Sequence, residues 1–180
     1  MDTMVLFERS ASNAASLVGQ VRAEQRHSPT PCGEWDVEAL LVHMVGGTGY
    51  LMNALGIDRG PVGTDEASYR AAIARCVEAA GEPGALARRC MSPIGFEWSI
   101  GEAAAGTAMD QLVHTWDLAV AIGADRRLDP ELVNACVEMF VPVMPDIGRQ
   151  AGIVGPEVRV AAQSSPQDRL LGAMGRDPEA

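Results

Sequence analysis

The sequence predicts an all-α protein, a bundle of four long helices with a short irregular C-terminal tail. Three observations carry this. Apolar residues recur at three- and four-residue spacings over long windows. Cap residues stand where those windows begin and end. Alternating stretches are nearly absent, so at most a trace of strand is expected.

Residues 3–25 read as the first helix, with Val5, Leu6, Ala14, Leu17, Val18 and Val21 on one face. The segment SPTPCGEWD breaks the pattern with two prolines and a glycine. Asp36 is a good N-cap for a second helix from Val37 to about Leu55. IDRGPVGTD is a loop, and Asp65 to Ala80 fits a third helix carrying Tyr69, Ile73, Cys76 and Val77. GEPGALARRCMSPIGFEW reads as irregular. Ser99 caps a fourth helix to Ile122, with Gly123 just past its end. Asp129 and Pro130 open a fifth helix to about Val143. The tail holds one short alternating piece and a short helix after Ser165. Loops between long amphipathic helices suggest an antiparallel bundle with one longer connection. The reading is a single domain over 1–180, with a core of about 3–148 and a tail of 149–180.

The chain has 180 residues, 47% of them hydrophobic, which is ordinary for a globular protein. The net charge is −10, and every basic residue is arginine. An acidic chain without a basic cluster is a poor partner for nucleic acid or a membrane surface. The start, MDTMVLFERS, has no basic n-region and does not read as a secretory signal. No stretch is apolar enough for a transmembrane helix. Cys32, Cys76, Cys90 and Cys136 are scattered, without C-x-x-C pairs or zinc-finger spacing. Reduced thiols in a cytoplasmic protein are the expectation.

The three histidines are His27, His43 and His114. On the fourth helix Asp110 and His114 are four residues apart, so their side chains meet above one turn. Both lie between apolar arcs, where a carboxylate is expensive unless paired or metal-bound. On the second helix His43 borders the apolar arc, with Ala39 and Gly47 one turn away. Small residues there suggest open space beside the imidazole. Two readings follow. His43, Asp110 and His114 hold one divalent metal, with zinc the best match and nickel or iron(II) also acceptable. Alternatively, Asp110 and His114 form an ordinary hydrogen bond and His43 is unrelated. Asp117, about one turn on, either orients His114 or packs between helices. Tyr50 either lines a cavity or belongs to the core. Trp35 and Trp116 read as packing residues. His27 reads as a solvated loop residue, and Cys32 has no basic neighbour in sequence to activate it. Ser10, Ser12 and Ser16 lack a G-x-S-x-G context. No Gly-rich loop follows a strand, so nucleotide binding is not indicated.

TPCGEWDVEALLVHMVGG closely resembles a segment of the mycothiol-dependent maleylpyruvate isomerase family, in the DinB-like metalloenzyme superfamily. DQLVHTWDLAVAIG is similar to that family's E-L-x-V-H-x-W-D-L-A-x-A-x-G motif, and SSPQDRLLGAMGRDP to its usual ending. The resemblance implies a DinB-like four-helix bundle. It places His43 at the family's first histidine ligand, His114 at its last, and Asp110 where glutamate is usual. Asp is shorter by one methylene, so its reach toward a metal is the point in question. The implied function is metal-dependent thiol chemistry: S-transfer or isomerisation with mycothiol as thiol cosubstrate. A small-molecule thiol and an electrophile are the implied partners, and a homodimer is compatible with a small bundle. The residue that performs catalysis is not identified. The alternatives are a ligand- or partner-binding bundle with a degraded metal site, and a metal-dependent hydrolase.

Overall fold

Seven α-helices and one two-stranded hairpin make up the described part of the molecule. The structure, a computed structural model, describes residues 1–33, 35–60 and 63–180. Glu34 of the expected SPTPCGEWD break, and Pro61 and Val62 of the expected IDRGPVGTD loop, lie outside the described residues. The helices are α1 Thr3–Val18, α2 Val37–Leu55, α3 Glu66–Ala80, α4 Ile100–Ile122, α5 Pro130–Met139, α6 Met144–Gln150 and α7 Pro166–Ala173. The hairpin pairs β1 Arg89–Met91 with β2 Glu97–Ser99.

The long helices begin where polar side chains capture the unpaired backbone N–H groups of their first turns. Asp2 accepts from Met4 and Val5, Asp36 from Ala39, and Asp65 from Ser68. Ser99 and Glu102 cap α4 reciprocally. At the far ends of α2 and α4, Gly56 and Gly123 adopt φ of 79° and 70°. That conformation suits glycine because it has no Cβ to clash.

Helices α1 to α4 pack pairwise in a closed ring, α1 on α4, α4 on α2, α2 on α3 and α3 on α1. The α1–α4 contact is the most extensive. Here α1 buries Ala11, Ala14 and Ala15, and α4 buries Ala103, Ala104 and Ala108. Small side chains permit close approach of two helices. Larger residues fill the rest of the core, with Leu40, Leu41, Met44, Leu112 and Trp116 inaccessible or nearly so. Among the described residues no helix is long and apolar enough to cross a membrane.

Two helix ends differ from the sequence expectation. The first helix stops at Val18, not near residue 25. Gly19 lies against Glu66 so closely that a Cβ there would overlap the carboxylate, so the helix ends where it meets the start of α3. The fifth helix stops at Met139, and Pro142 excludes continuation. A separate helix, α6, then starts with Pro145 in its first turn.

The stretch 81–98, expected to be irregular, contains β1 and most of β2. Two three-residue strands are too short to show a period. They are fixed instead by tertiary bonds: Trp98 Nε1 donates to Tyr50 Oη at 2.7 Å, and Tyr50 Oη donates to the Met91 carbonyl at 2.9 Å. The expected alternating piece in the tail forms no strand among the described residues; Val158 donates to the Gly172 carbonyl at 3.0 Å. Helix α7 packs on α5 and buries Leu170 and Leu171 completely. The chain then turns at Gly175 and sends Arg176 back into the core.

Candidate functional site

The middle of α2 and the C-terminal half of α4 bring four ionisable side chains together. His43 comes from α2; Asp110, His114 and Asp117 come from successive turns of α4. Helical spacing of four and three residues stacks the α4 set on one face. Asp110 sits between the imidazoles. His43 Nε2 lies 3.3 Å from Asp110 Oδ1 and 3.2 Å from Oδ2. His114 Nε2 lies 3.4 Å from Asp110 Oδ1. One donor atom from each of the three residues falls within 4.8 Å of the others.

These separations test whether a metal fits. A tetrahedral ion bound by nitrogen and oxygen at 2.0–2.1 Å sets ligand atoms about 3.3 Å apart. The two imidazole-to-carboxylate edges already have that length. The shorter Asp110 side chain therefore reaches both histidines.

The other side of His114 is fixed by a buried network. Its Nδ1 lies 2.8 Å from Asp117 Oδ2, and Asp117 is completely buried. A carboxylate only accepts hydrogen bonds, so Nδ1 carries the proton and donates. Arg176 donates to Asp117 from Nη2 at 2.8 Å and from Nε at 3.2 Å. Any change of protonation at His114 then falls on Nε2, the nitrogen facing Asp110.

Electrostatics match this arrangement. Burial pushes the Asp110 carboxyl up, but the charge and hydrogen bonds of His114 and His43 outweigh it and hold it well below the usual range. Burial pushes His114 down, while Asp110 and Asp117 more than reverse this and bring it up to about 9. Burial likewise opposes ionisation of Asp117, and hydrogen bonds from His114 and Arg176 keep it below its ordinary value.

Trp35, a packing residue on the sequence reading, packs on both imidazoles. The Trp35 ring centroid is 4.7 Å from that of His43 and 5.9 Å from that of His114. The two imidazoles meet edge to face at 4.6 Å. The expected open space at Gly47 is filled. A Cβ on Gly47 would meet Gln111 Nε2 at 3.2 Å and Asp110 Oδ2 at 3.6 Å. Gln111 is held there by donating to the Met44 carbonyl at 2.6 Å and accepting from Tyr69. Glycine at 47 thus admits the α4 polar groups against α2.

Tyr50 stands two turns along α2 from His43, and its hydroxyl is committed to the hairpin. His27 is exposed and bonded to Asp36 at 3.0 Å, apart from the cluster. Trp116 is buried in the core. Cys32 does gain a basic neighbour in space, with Arg176 Nη2 at 3.4 Å. Burial nevertheless pushes its thiol up. Arg176 is the residue that sequence reasoning missed. It lies 59 positions from Asp117, within the resemblance SSPQDRLLGAMGRDP, which offered a position but no role.

Comparison with known proteins gives the site a family context. The model of the mycothiol maleylpyruvate isomerase N-terminal domain matches residues 7–88, a span that includes most of α1, all of α2 and α3, and His43. The chain belongs to this family. Asp110, His114 and Asp117 lie beyond the matched span. Two similar relatives are Uncharacterized protein MT0763 and Uncharacterized protein Rv0738, from the CDC 1551 and H37Rv strains of Mycobacterium tuberculosis. Each is 31% identical over 184 residues, covering 98% of this chain and 98% of its own length. No solved structure matches the chain significantly.

Proposed function

We propose that the chain is a metal-dependent enzyme of thiol chemistry, similar to a mycothiol-dependent S-transferase, on a DinB-like four-helix bundle. The observation that carries this reading is the pair of 3.2–3.4 Å edges joining His43, Asp110 and His114. The family, named for a mycothiol enzyme, supplies the choice of thiol. His43, Asp110 and His114 would hold the ion, zinc in the first place and nickel or iron(II) as other options. A zinc ion bound there would lower the pKa of a coordinated thiol, which is otherwise near 8.5 and mostly protonated at neutral pH.

The protein's own groups define the rest. Asp117 accepts from His114 Nδ1 and so aims Nε2 at the centre. His43 and Asp110 keep about a third of their side-chain surface exposed, 37% and 35%, whereas His114 keeps 7% and Asp117 none. Substrates therefore approach from the His43–Asp110 side. Trp35, packed on His43, shields the imidazoles on another side. In the reaction a bond forms between the thiol sulfur and an electrophilic carbon. The leaving group departs with its bonding pair, and the thiol proton passes to solvent.

The test uses zinc-loaded protein with mycothiol and monochlorobimane, beside a His114→Ala variant. Metal-dependent conjugation in the parent and background rates in the variant are expected. Equal rates in the two proteins, or zinc uptake near zero in the parent, overturns the proposal.

A further inference from the structure

We infer that Arg176, from the C-terminal segment, is a positioning residue for the metal centre, acting on His114 through Asp117. This rests on the functional reading above. Three observations combine. The Arg176 fork spans both Asp117 oxygens, Nε to Oδ1 at 3.2 Å and Nη2 to Oδ2 at 2.8 Å. Asp117 is fully buried and its Oδ2 also faces His114 Nδ1 at 2.8 Å. The guanidinium itself is locked, because Nη1 donates to the Met174 carbonyl at 2.8 Å and the Arg176 backbone N–H to that of Leu171 at 2.9 Å.

The physical consequence follows from donor counting. A guanidinium has donors only, and a carboxylate has acceptors only. With both oxygens gripped by a rigid fork, Asp117 cannot rotate away from the imidazole. Oδ2 then stays on the line of Nδ1–H, and the Nε2 side of the ring stays turned toward Asp110 and His43. Without Arg176 the carboxylate is free to turn about χ2, and the ring orientation loosens with it. Arg176 also contacts Cys32 Sγ at 3.4 Å, in the loop that carries Trp35 over the imidazoles. One side chain thus ties the chain's end, α4 and the loop before α2 to the same histidine. Partners behind metal-bound histidines commonly matter by tenfold to a hundredfold in metal affinity.

The experiment measures zinc affinity by calorimetry for the full-length parent, Arg176→Met, Arg176→Lys, Asp117→Asn and the Arg176→Met/Asp117→Asn double variant. In metal-free protein it also follows the His114 Nδ1 proton by nitrogen-edited NMR. Arg176→Met is expected to weaken zinc binding by about tenfold or more and to speed exchange of the Nδ1 proton. Arg176→Lys, which keeps the charge but loses the fork, is expected to recover part of the affinity. The double variant is expected to bind no worse than Asp117→Asn alone, because both act on one path. Should Arg176→Met fail to fold, the lysine variant decides: several-fold weaker binding with faster Nδ1 exchange supports the inference. Binding within twofold of the parent, with an unchanged Nδ1 proton, overturns it. If the parent itself takes up no zinc, the functional reading fails, while the NMR arm still decides whether Arg176 holds His114.

Discussion

The two halves of α4 both pack against neighbouring helices yet are built on opposite principles. The first half, Ala103 to Ala108, presents alanines to a close-packed apolar neighbourhood and relies on shape. The second half, Asp110 to Asp117, places two carboxylates, a glutamine and an imidazole within two turns. Burying such groups without partners is strongly unfavourable. Each has one: Asp110 meets two histidines, Gln111 meets Met44 and Tyr69, and Asp117 meets His114 and Arg176. An apolar half tolerates loss of an atom by partial collapse. A paired polar half fails by leaving a charge behind. The same helix therefore predicts two different mutational signatures.

The largest expected effect is in the polar half. Asp117→Ala leaves Arg176, only 11% exposed, without its partner and His114 Nδ1 without an acceptor. Breaking a buried pair from one side costs about 3–5 kcal/mol. Urea unfolding of metal-free protein measures it, and a loss below about 1 kcal/mol would show that the pair is not sealed from water.

The apolar half gives a smaller, differently shaped response. Ala108 is fully buried. Ala108→Leu forces extra methylenes into a filled layer, at about 1–3 kcal/mol. Under the proposed function, zinc stoichiometry stays that of the parent, since Ala108 is not one of the three proposed ligands His43, Asp110 and His114. A variant that lost zinc while keeping its stability would mean that the two halves are coupled and not independent.

How much of this division is legible in the sequence depends on range. Local signals carried far. Asp36, Ser99, Gly123, Asp129 and Ser165 mark helix ends because a cap acts within a turn of itself. The stacking of Asp110, His114 and Asp117 is likewise local, a matter of helical period. Long-range contacts left no such trace. Arg176 reaches Asp117, and Trp98 reaches Tyr50 across 48 positions, only because the fold has already closed. Gly47 shows the intermediate case. A small residue beside a histidine signals room, but sequence does not say whether a cavity or a facing glutamine takes it.

The smallest effect concerns a buried ionisable group with no charged partner among the described residues. Cys136 on α5 is inaccessible, and burial alone pushes its thiol from an ordinary 9.0 up to about 12. Asp117 is held ionised by partners, whereas Cys136 is held neutral by their absence. The sign follows from linkage. Between pH 9 and 12 the unfolded chain releases a proton that the folded chain keeps, so stability present below pH 9 is lost as pH rises. From pH 8 to 9.5 that loss is about 0.8 kcal/mol for one thiol. Other groups titrate over the same range, so the useful quantity is the difference in slope between the parent and Cys136→Ala, not either slope alone. Parallel stability curves over this interval would mean that solvent reaches the thiol. A shallower curve for Cys136→Ala is the expected result, because the alanine has no proton to lose while its cavity lowers stability equally at every pH.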